Sequence, residues 1–364
     1  MSDVRPTKTR NGLLDLARKD GSRRKPRVAF VLSGGGNLGA IQVGMLKALV
    51  EHDVFPDVIL GCSVGAMNGA GFALQPTMEG VESLEKLWRA SEGVVMPSTR
   101  IPSALQLLRK GESLHNADGL STQIRTLLDG AHTFEDLLIP FECVAVDVES
   151  ATTEWFSEGE LLEPILASAA LPAVYPPVTI DGRRYIDGGV VENVPIGRAV
   201  ELGCRTIYVL HPGPHGRPDA EIRRPLDAAL LAYWVARNSQ FARDLASLPE
   251  KVEAIVLPPG ERPELKHDDF SQTDALVAKG YENSVKFLEA KLAEVPERRR
   301  GSELLRPIGR LVMSARSRNW RQQAQDAANA PEGAIVTGPD SAGDDLLDTD
   351  EVAQDRPNEV EHEG

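Results

Sequence analysis

Gly61-Cys62-Ser63-Val64-Gly65 sets a serine hydroxyl between two glycines, where the apolar run PDVILGCS meets the small-residue stretch VGAMNGAGFALQ. A serine on a sharp strand-to-helix turn has its oxygen pushed out of the backbone path, toward the C-terminal edge of a sheet. Such a turn brings together the residues two before and two after the serine, which is why both positions want glycine. The helix that follows aims its first amides at the same spot and stabilises negative charge there. The chemistry this suits is nucleophilic attack on an acyl group. The competing reading is a Gly/Ser turn without chemistry, because G-x-S-x-G alone is a weak motif. The strand-turn-helix setting favours the chemical reading.

Ser33-Gly34-Gly35-Gly36-Asn37-Leu38-Gly39 lies in a second strand-to-helix junction, between RVAFVL and LGAIQVGMLKALVEH. Gly34, Gly36 and Gly39 satisfy G-x-G-x-x-G, so a dinucleotide site is a rival here, with Asp53 or Asp57 holding a ribose. The same exposed amides would equally serve as an oxyanion hole. The loop by itself does not choose between them. The serine turn on the next strand does, since a dinucleotide site has no use for it.

A serine hydroxyl needs a base at neutral pH. Asp187-Gly188-Gly189 ends the run RRYID and places a carboxylate before two glycines, although an Asp-Gly turn with an Asx-type bond is the bland reading. Of the histidines that follow, His362 lies in an acidic tail and His267 in a polar loop. His211 and His215, in VLHPGPHG, are the two candidates for a triad, and turn histidines of this kind are more often structural.

These groups need a scaffold. Short apolar runs (RVAFVL, PDVILGCS, FECVAVDVES, RTIYVLHPG, KVEAIVLPP) alternate with helix-like segments, joined by Gly-rich turns. This predicts an α/β fold with a mostly parallel central sheet. TTEWFSEG reads as a further strand, and EPILASAALP as a helix stopped by proline. PPVTIDGRRYIDGG reads as a hairpin turning at Asp181-Gly182. Other helices are expected at VESLEKLWRAS, IPSALQLLRK, LSTQIRTLLD and SQTDALVAKGYENSVKFLEAKLAEV, and a short one within NGLLDLARK. The region from Met78 to Leu128 is the expected source of an acyl pocket and lid.

The bulk properties narrow the function classes. The chain has 364 residues, is 41% hydrophobic and 26% charged, and carries a net charge of -14 with only 5% aromatic residues. Phosphate-backbone binding wants a basic surface and single-strand binding wants stacking platforms, so nucleic acid is excluded as a partner. The charge is segregated: 1–26 is a basic leader, 296–327 a basic extension and 328–364 an acidic tail expected to be disordered. Between them, 27–295 forms the expected catalytic domain. Cys62, Cys143 and Cys204 lie in or beside apolar runs with no paired spacing, which predicts buried thiols rather than a disulfide or metal framework. With no signal-like or bilayer-length apolar run, the expected location is cytoplasmic. Peripheral membrane contact is expected through 298–321, where Leu304, Leu305, Ile308, Leu311 and Val312 recur at helical spacing among arginines. A helix packed on the catalytic domain is the equal alternative.

GGGNLG, GCSVG and DGG stand in one order, together with ASAALPAVYPPV, and over roughly Arg27 to Val295 the chain resembles the patatin-like phospholipase family. The resemblance implies a three-layer fold with helices flanking the sheet, and a serine–aspartate dyad without histidine. Ser63 would be the nucleophile, Asp187 the base, and the amides of Gly34, Gly35 and Gly36 the oxyanion hole. Asn37, Gly39, Gly61, Gly65, Gly188 and Gly189 would support these motifs. The implied activity is hydrolysis of acyl esters of phospholipids or related lipids, with no metal and no organic cofactor. Leu38 departs from the basic residue often found there, which bears on head-group preference. The alternatives are a catalytically silent lipid-binding protein of the same fold, and a nucleotide-binding protein using Gly34 to Gly39.

Overall fold

The computed structural model describes residues 27–91, 117–213, 225–260, 270–294 and 335–337. Among the described residues nine strands form one sheet: β1 (Val28–Leu32), β2 (Val58–Cys62), β3 (Phe141–Asp147), β4 (Thr152–Phe156), β5 (Val178–Ile180), β6 (Arg183–Asp187), β7 (Thr206–Leu210), β8 (Glu253–Val256) and β9 (Ile335–Thr337). The strands β3-β2-β1-β7-β8 pair in parallel, and β4, β5, β6 and β9 join antiparallel. The α/β fold with a mostly parallel sheet is therefore as the sequence predicts. So is the hairpin: β5 and β6 are joined by Asp181 (φ 48°) and Gly182 (φ 80°), the two positive-φ residues of a tight primed turn.

The described helices are α1 (Gly39–Glu51), α2 (Val64–Leu74), α3 (Met78–Ala90), α4 (Asp118–Leu128), α5 (Leu162–Ser168), α6 (Ile196–Glu201), α7 (Pro225–Ala246) and α8 (Thr273–Glu294). The β1 side chains explain the layering. Phe30 and Leu32 face a core shared with α1 to α5 and α8, whereas Ala29 and Val31 face a second core closed by α6 and α7. A strand buried on both faces has no polar side to show, hence its continuous apolar run. In the larger core Phe30 stacks on Phe72 at 6.2 Å and meets Tyr208 edge-on at 5.6 Å.

β3 has three partners. Along one edge β4 runs beside Cys143 to Asp147. Along the other, β2 pairs up to Cys62 opposite Val144, and β6 takes over with Asp187 opposite Ala145. The ends of β2 and β6 thus meet head to head at consecutive positions of one strand.

Three elements differ from the sequence reading. The short α6 before β7 and the 22-residue α7 between β7 and β8 were not anticipated. Residues 335–337, expected within a disordered tail, pair antiparallel with β8, because Ile335 and Val336 form a β-branched run inside an otherwise acidic stretch. The leader, IPSALQLLRK, the basic extension and the rest of the tail lie outside the described residues.

α1 and α8 touch backbone to backbone. A Cβ on Gly44 would sit 2.1 Å from the Val277 carbonyl, and one on Gly280 would sit 2.3 Å from that of Ile41. Gly44→Ala gains about 1 kcal/mol of helix propensity, yet must push the helices apart, and the net expected loss is about 1–3 kcal/mol. Gly197→Ala, whose nearest neighbour would be 4.0 Å away, serves as the control. Denaturant unfolding of both variants checks this; equal stability would mean the helices yield freely.

Candidate active site

β2 ends at Cys62, and α2 begins at Val64. Ser63 between them has φ 53° and ψ -125°, a conformation that costs an L-residue about 1–3 kcal/mol unless its surroundings hold it. They do so closely. A Cβ on Gly61 would lie 2.6 Å from Ala66 Cα, and one on Gly65 would lie 2.2 Å from the Leu32 carbonyl. Both glycines are thus required by backbone contact. The Ser63 N–H donates to Ser168 Oγ (2.9 Å), and its carbonyl accepts from the Ala66 N–H (2.9 Å). With α2 starting at the next residue, the positive end of its dipole faces the serine.

Asp187 is 2% exposed. Its Oδ1 accepts the Gly189 N–H at 2.7 Å, so the Asx-type bond of the bland reading is present. The Cys62 thiol lies 3.9 Å from the same oxygen. Burial pushes the carboxyl up to about 6, against the opposing pull of the Ser63 side chain as hydrogen-bond partner, the Gly189 amide, the Arg237 charge and Cys62. Serine and carboxylate are therefore adjacent, and the carboxylate holds a proton more readily than an ordinary aspartate. Gly188 fits beneath this turn because a Cβ there would meet the Val144 carbonyl at 2.4 Å.

The glycine loop faces the same point. A Cβ on Gly34 would lie 3.1 Å from Ser63 Cβ and 2.6 Å from Asn193 Oδ1. The Gly34 N–H, however, donates to the Asn193 carbonyl at 3.2 Å. The amides of Gly35 and Gly36 make no hydrogen bond to a described residue, which narrows the oxyanion candidates from three to two. Gly36 adopts φ 59° and opens a turn of 3-10 helix with Asn37 and Leu38. Asn37 is buried, and Gly39 is confined by Val64 and Trp88.

Beneath the loop, three side chains that motif reasoning missed hold it in place. Trp88 Nε1 donates to Asn68 Oδ1, Asn68 Nδ2 donates to Gln42 Oε1 and the Gly39 carbonyl, and Gln42 Nε2 donates to the carbonyls of Ser33 and Leu210. All three are buried. Ser168, Asn193 and Tyr233 were also missed. Ser168 lies in the ASAALP stretch and Asn193 six residues after Asp187, but the motifs gave neither a role; Tyr233 reaches the site from a helix that the sequence reading did not anticipate.

His211 is committed elsewhere: its Nδ1 accepts the Gly213 N–H at 2.9 Å, and its ring stacks on Phe241 at 5.0 Å. His215 and His267 lie outside the described residues. Of the two acids of the dinucleotide alternative, Asp57 is already used: its Oδ2 accepts from the Arg27 and Val28 amides (2.7 and 2.9 Å) at the opposite end of β1 from the glycine loop.

The profile of the patatin-like phospholipase family matches residues 30–200, a span that holds the serine turn, the glycine loop and Asp187. Residues 30–200 belong to the patatin-like phospholipase family. Patatin-like phospholipase domain-containing protein 7 of Mus musculus is 29% identical over 210 residues, 57% of this chain and 15% of that protein. Lysophospholipase NTE1 of Eremothecium gossypii is 28% identical over 221 residues, 58% and 13% of the two chains. Patatin-like phospholipase domain-containing protein 6 of Homo sapiens is 28% identical over 194 residues, 53% and 14%. The chain thus matches about one-seventh of the length of these relatives. Among solved structures, VipD from Legionella pneumophila superposes loosely, with a TM-score of 0.37 and 14% identity over 73% of this chain and 67% of that one.

The patatin-like match ends within α6, and the sheet continues past it through β7 and β8, with α7 between them packed against the Asp187 turn. Tyr233 of α7 brings its hydroxyl to Gly189: a Cβ there would lie 3.0 Å from Tyr233 Oη, 3.0 Å from Asp187 Oδ1 and 2.9 Å from Asn193 Oδ1. Part of the desolvation of Asp187 thus comes from beyond the family match.

The raised proton affinity of Asp187 has a cost in stability. Between its unfolded value of 3.8 and about 6 the folded protein binds the proton more tightly than the unfolded chain, so this contribution falls as pH rises through that window. Asp187→Asn, which cannot ionise, is expected to stabilise the protein at pH 7 by on the order of 2–3 kcal/mol, with the gain vanishing below about pH 4. Unfolding curves at the two pH values test this, and no gain at pH 7 would contradict the desolvation account.

Proposed function

We propose that this protein is a serine lipid acyl hydrolase that cleaves acyl esters of phospholipids or related lipids. The observation that carries the reading is the strained Ser63 beside a buried, proton-avid Asp187. Lysophospholipase NTE1 among the relatives supports a lipid ester as substrate.

In this mechanism Ser63 Oγ attacks the acyl carbonyl carbon while Asp187 takes the hydroxyl proton. The resulting oxyanion accepts hydrogen bonds from the Gly35 and Gly36 amides, assisted by the dipole of α2. Collapse breaks the acyl carbon–oxygen bond, and Asp187 returns its proton to the departing alkoxide. Water then attacks the acyl-enzyme and gives its proton to Asp187; release of the carboxylic acid restores Ser63. An aspartate is a weak base in water, and desolvation brings its proton affinity closer to the task. His211 has no part in this scheme.

Two measurements test it. Fluorophosphonate labelling with peptide mass spectrometry should find the adduct on Ser63, slowed at least about 100-fold in Asp187→Asn and unaffected in rate constant by more than a few-fold in His211→Ala. Absence of labelling, or indifference to Asp187, would favour a catalytically silent lipid-binding protein. In addition, kcat/KM should fall as pH drops through about 6, as Asp187 becomes protonated before it can act. A pH profile flat from 5 to 8 would remove Asp187 from the base role.

A further inference from the structure

Arg237 stands on α7 one turn beyond Tyr233, with its guanidinium 5.1 Å from the centre of the Tyr233 ring. It is half-buried; the guanidinium hydrogen-bonds the Tyr233 side chain, while its Nε is enclosed with no hydrogen-bond acceptor among the described residues. It forms no ion pair among the described residues. Glu192 and Asp244, whose proton affinities are raised chiefly by burial, form no ion pair with it. The groups that do sense its charge are Asp187, Cys62 and Tyr233, all at the reaction centre. The glycine loop supplies no cation of its own, since residues 33–39 read Ser-Gly-Gly-Gly-Asn-Leu-Gly.

A half-buried guanidinium with an orphaned N–H is an expensive feature unless an acceptor arrives to complete it. Its planar fork suits bidentate contact with a carboxylate or a phosphate, and phosphate is the anion that a phospholipid carries next to its acyl esters. Tyr233 fixes the distance. Its hydroxyl crowds Gly189 beside Asp187 Oδ1, and Arg237 lies about one helical turn, some 5 Å of rise, further along α7. A phosphate held there would be separated from the scissile ester by a short polyol spacer.

We propose that Arg237, braced on the Tyr233 ring, forms a phosphate-binding subsite beside the Ser63–Asp187 pair and selects phosphate-bearing acyl esters over neutral ones. The proposal rests on the hydrolase reading above and names the substrate feature that the site prefers.

The test compares lysophosphatidate with monoacylglycerol of the same acyl chain, in the wild type, Arg237→Gln and Arg237→Lys. The ratio of kcat/KM for the phosphorylated lipid to that for the neutral one should fall ten- to a hundred-fold in Arg237→Gln, mainly through KM. Arg237→Lys, which keeps the charge but not the fork, should fall in between. Equal losses on both lipids would mean that Arg237 acts only on Asp187, and no change in the ratio would leave it without a substrate role; either overturns the proposal. Failure of the hydrolase reading is distinguished by binding measured in the Ser63→Ala background, where no turnover occurs. There, lysophosphatidate should bind at least ten-fold more weakly once Arg237→Gln is added, with inorganic phosphate competing only weakly. If inorganic phosphate competes as well as the lipid, the subsite recognises the free ion, and selection of phosphorylated esters is overturned.

Discussion

A strand edge offers each residue one neighbour, and on one edge of β3 that place is divided between β2, ending at Cys62, and β6, ending at Asp187. Two strands that meet end to end cannot both run on, so each must leave the sheet at once. β2 leaves through the turn at Ser63, and β6 through the turn at Gly188-Gly189. The serine and the carboxylate are neighbours because two strand ends compete for consecutive residues of β3. The glycines around them follow, since every chain passing the junction is within contact of another backbone.

Such a junction has to be paid for in strain and desolvation. Ser63 stays in an unfavourable conformation because its N–H is held by Ser168 and its helix is clamped by Asn68, Gln42 and Trp88. This buried chain of amides and indole links α3, α2 and α1 to the ends of β1 and β7. Fully satisfied polar networks of this kind rigidify the elements they join, whereas a half-satisfied one would be worse than an apolar core. Asp187 carries the opposite burden. The turn beneath it and Tyr233 above it exclude water, and the few hydrogen bonds it keeps do not fully compensate.

α7 connects this centre to the part of the chain beyond the family match. Its C-terminal half, through Phe241 and Leu245, closes the smaller core, while Tyr233 and Arg237 face the Asp187 turn. One helix thus has a packing half and a polar, site-facing half. That division explains why its apolar periodicity was too interrupted to stand out between two strongly apolar strands.

What the sequence alone determined were the features imposed by local geometry. Glycines flanking Ser63, the positive-φ pair at Asp181-Gly182 and the two-faced apolar run of β1 each answer a constraint acting within a few residues, and each was legible for that reason. The α/β class followed from the alternation of such runs. Only the tertiary structure decided which groups meet. Ser168 binds a residue 105 positions away, Gln42 reaches Leu210 across 168, and Asn193 takes the Gly34 amide that the triglycine motif seemed to offer to substrate. A motif shows which backbone groups are free to bind something. Which of them the fold has already used depends on long-range contacts, and no spacing along the chain encodes those.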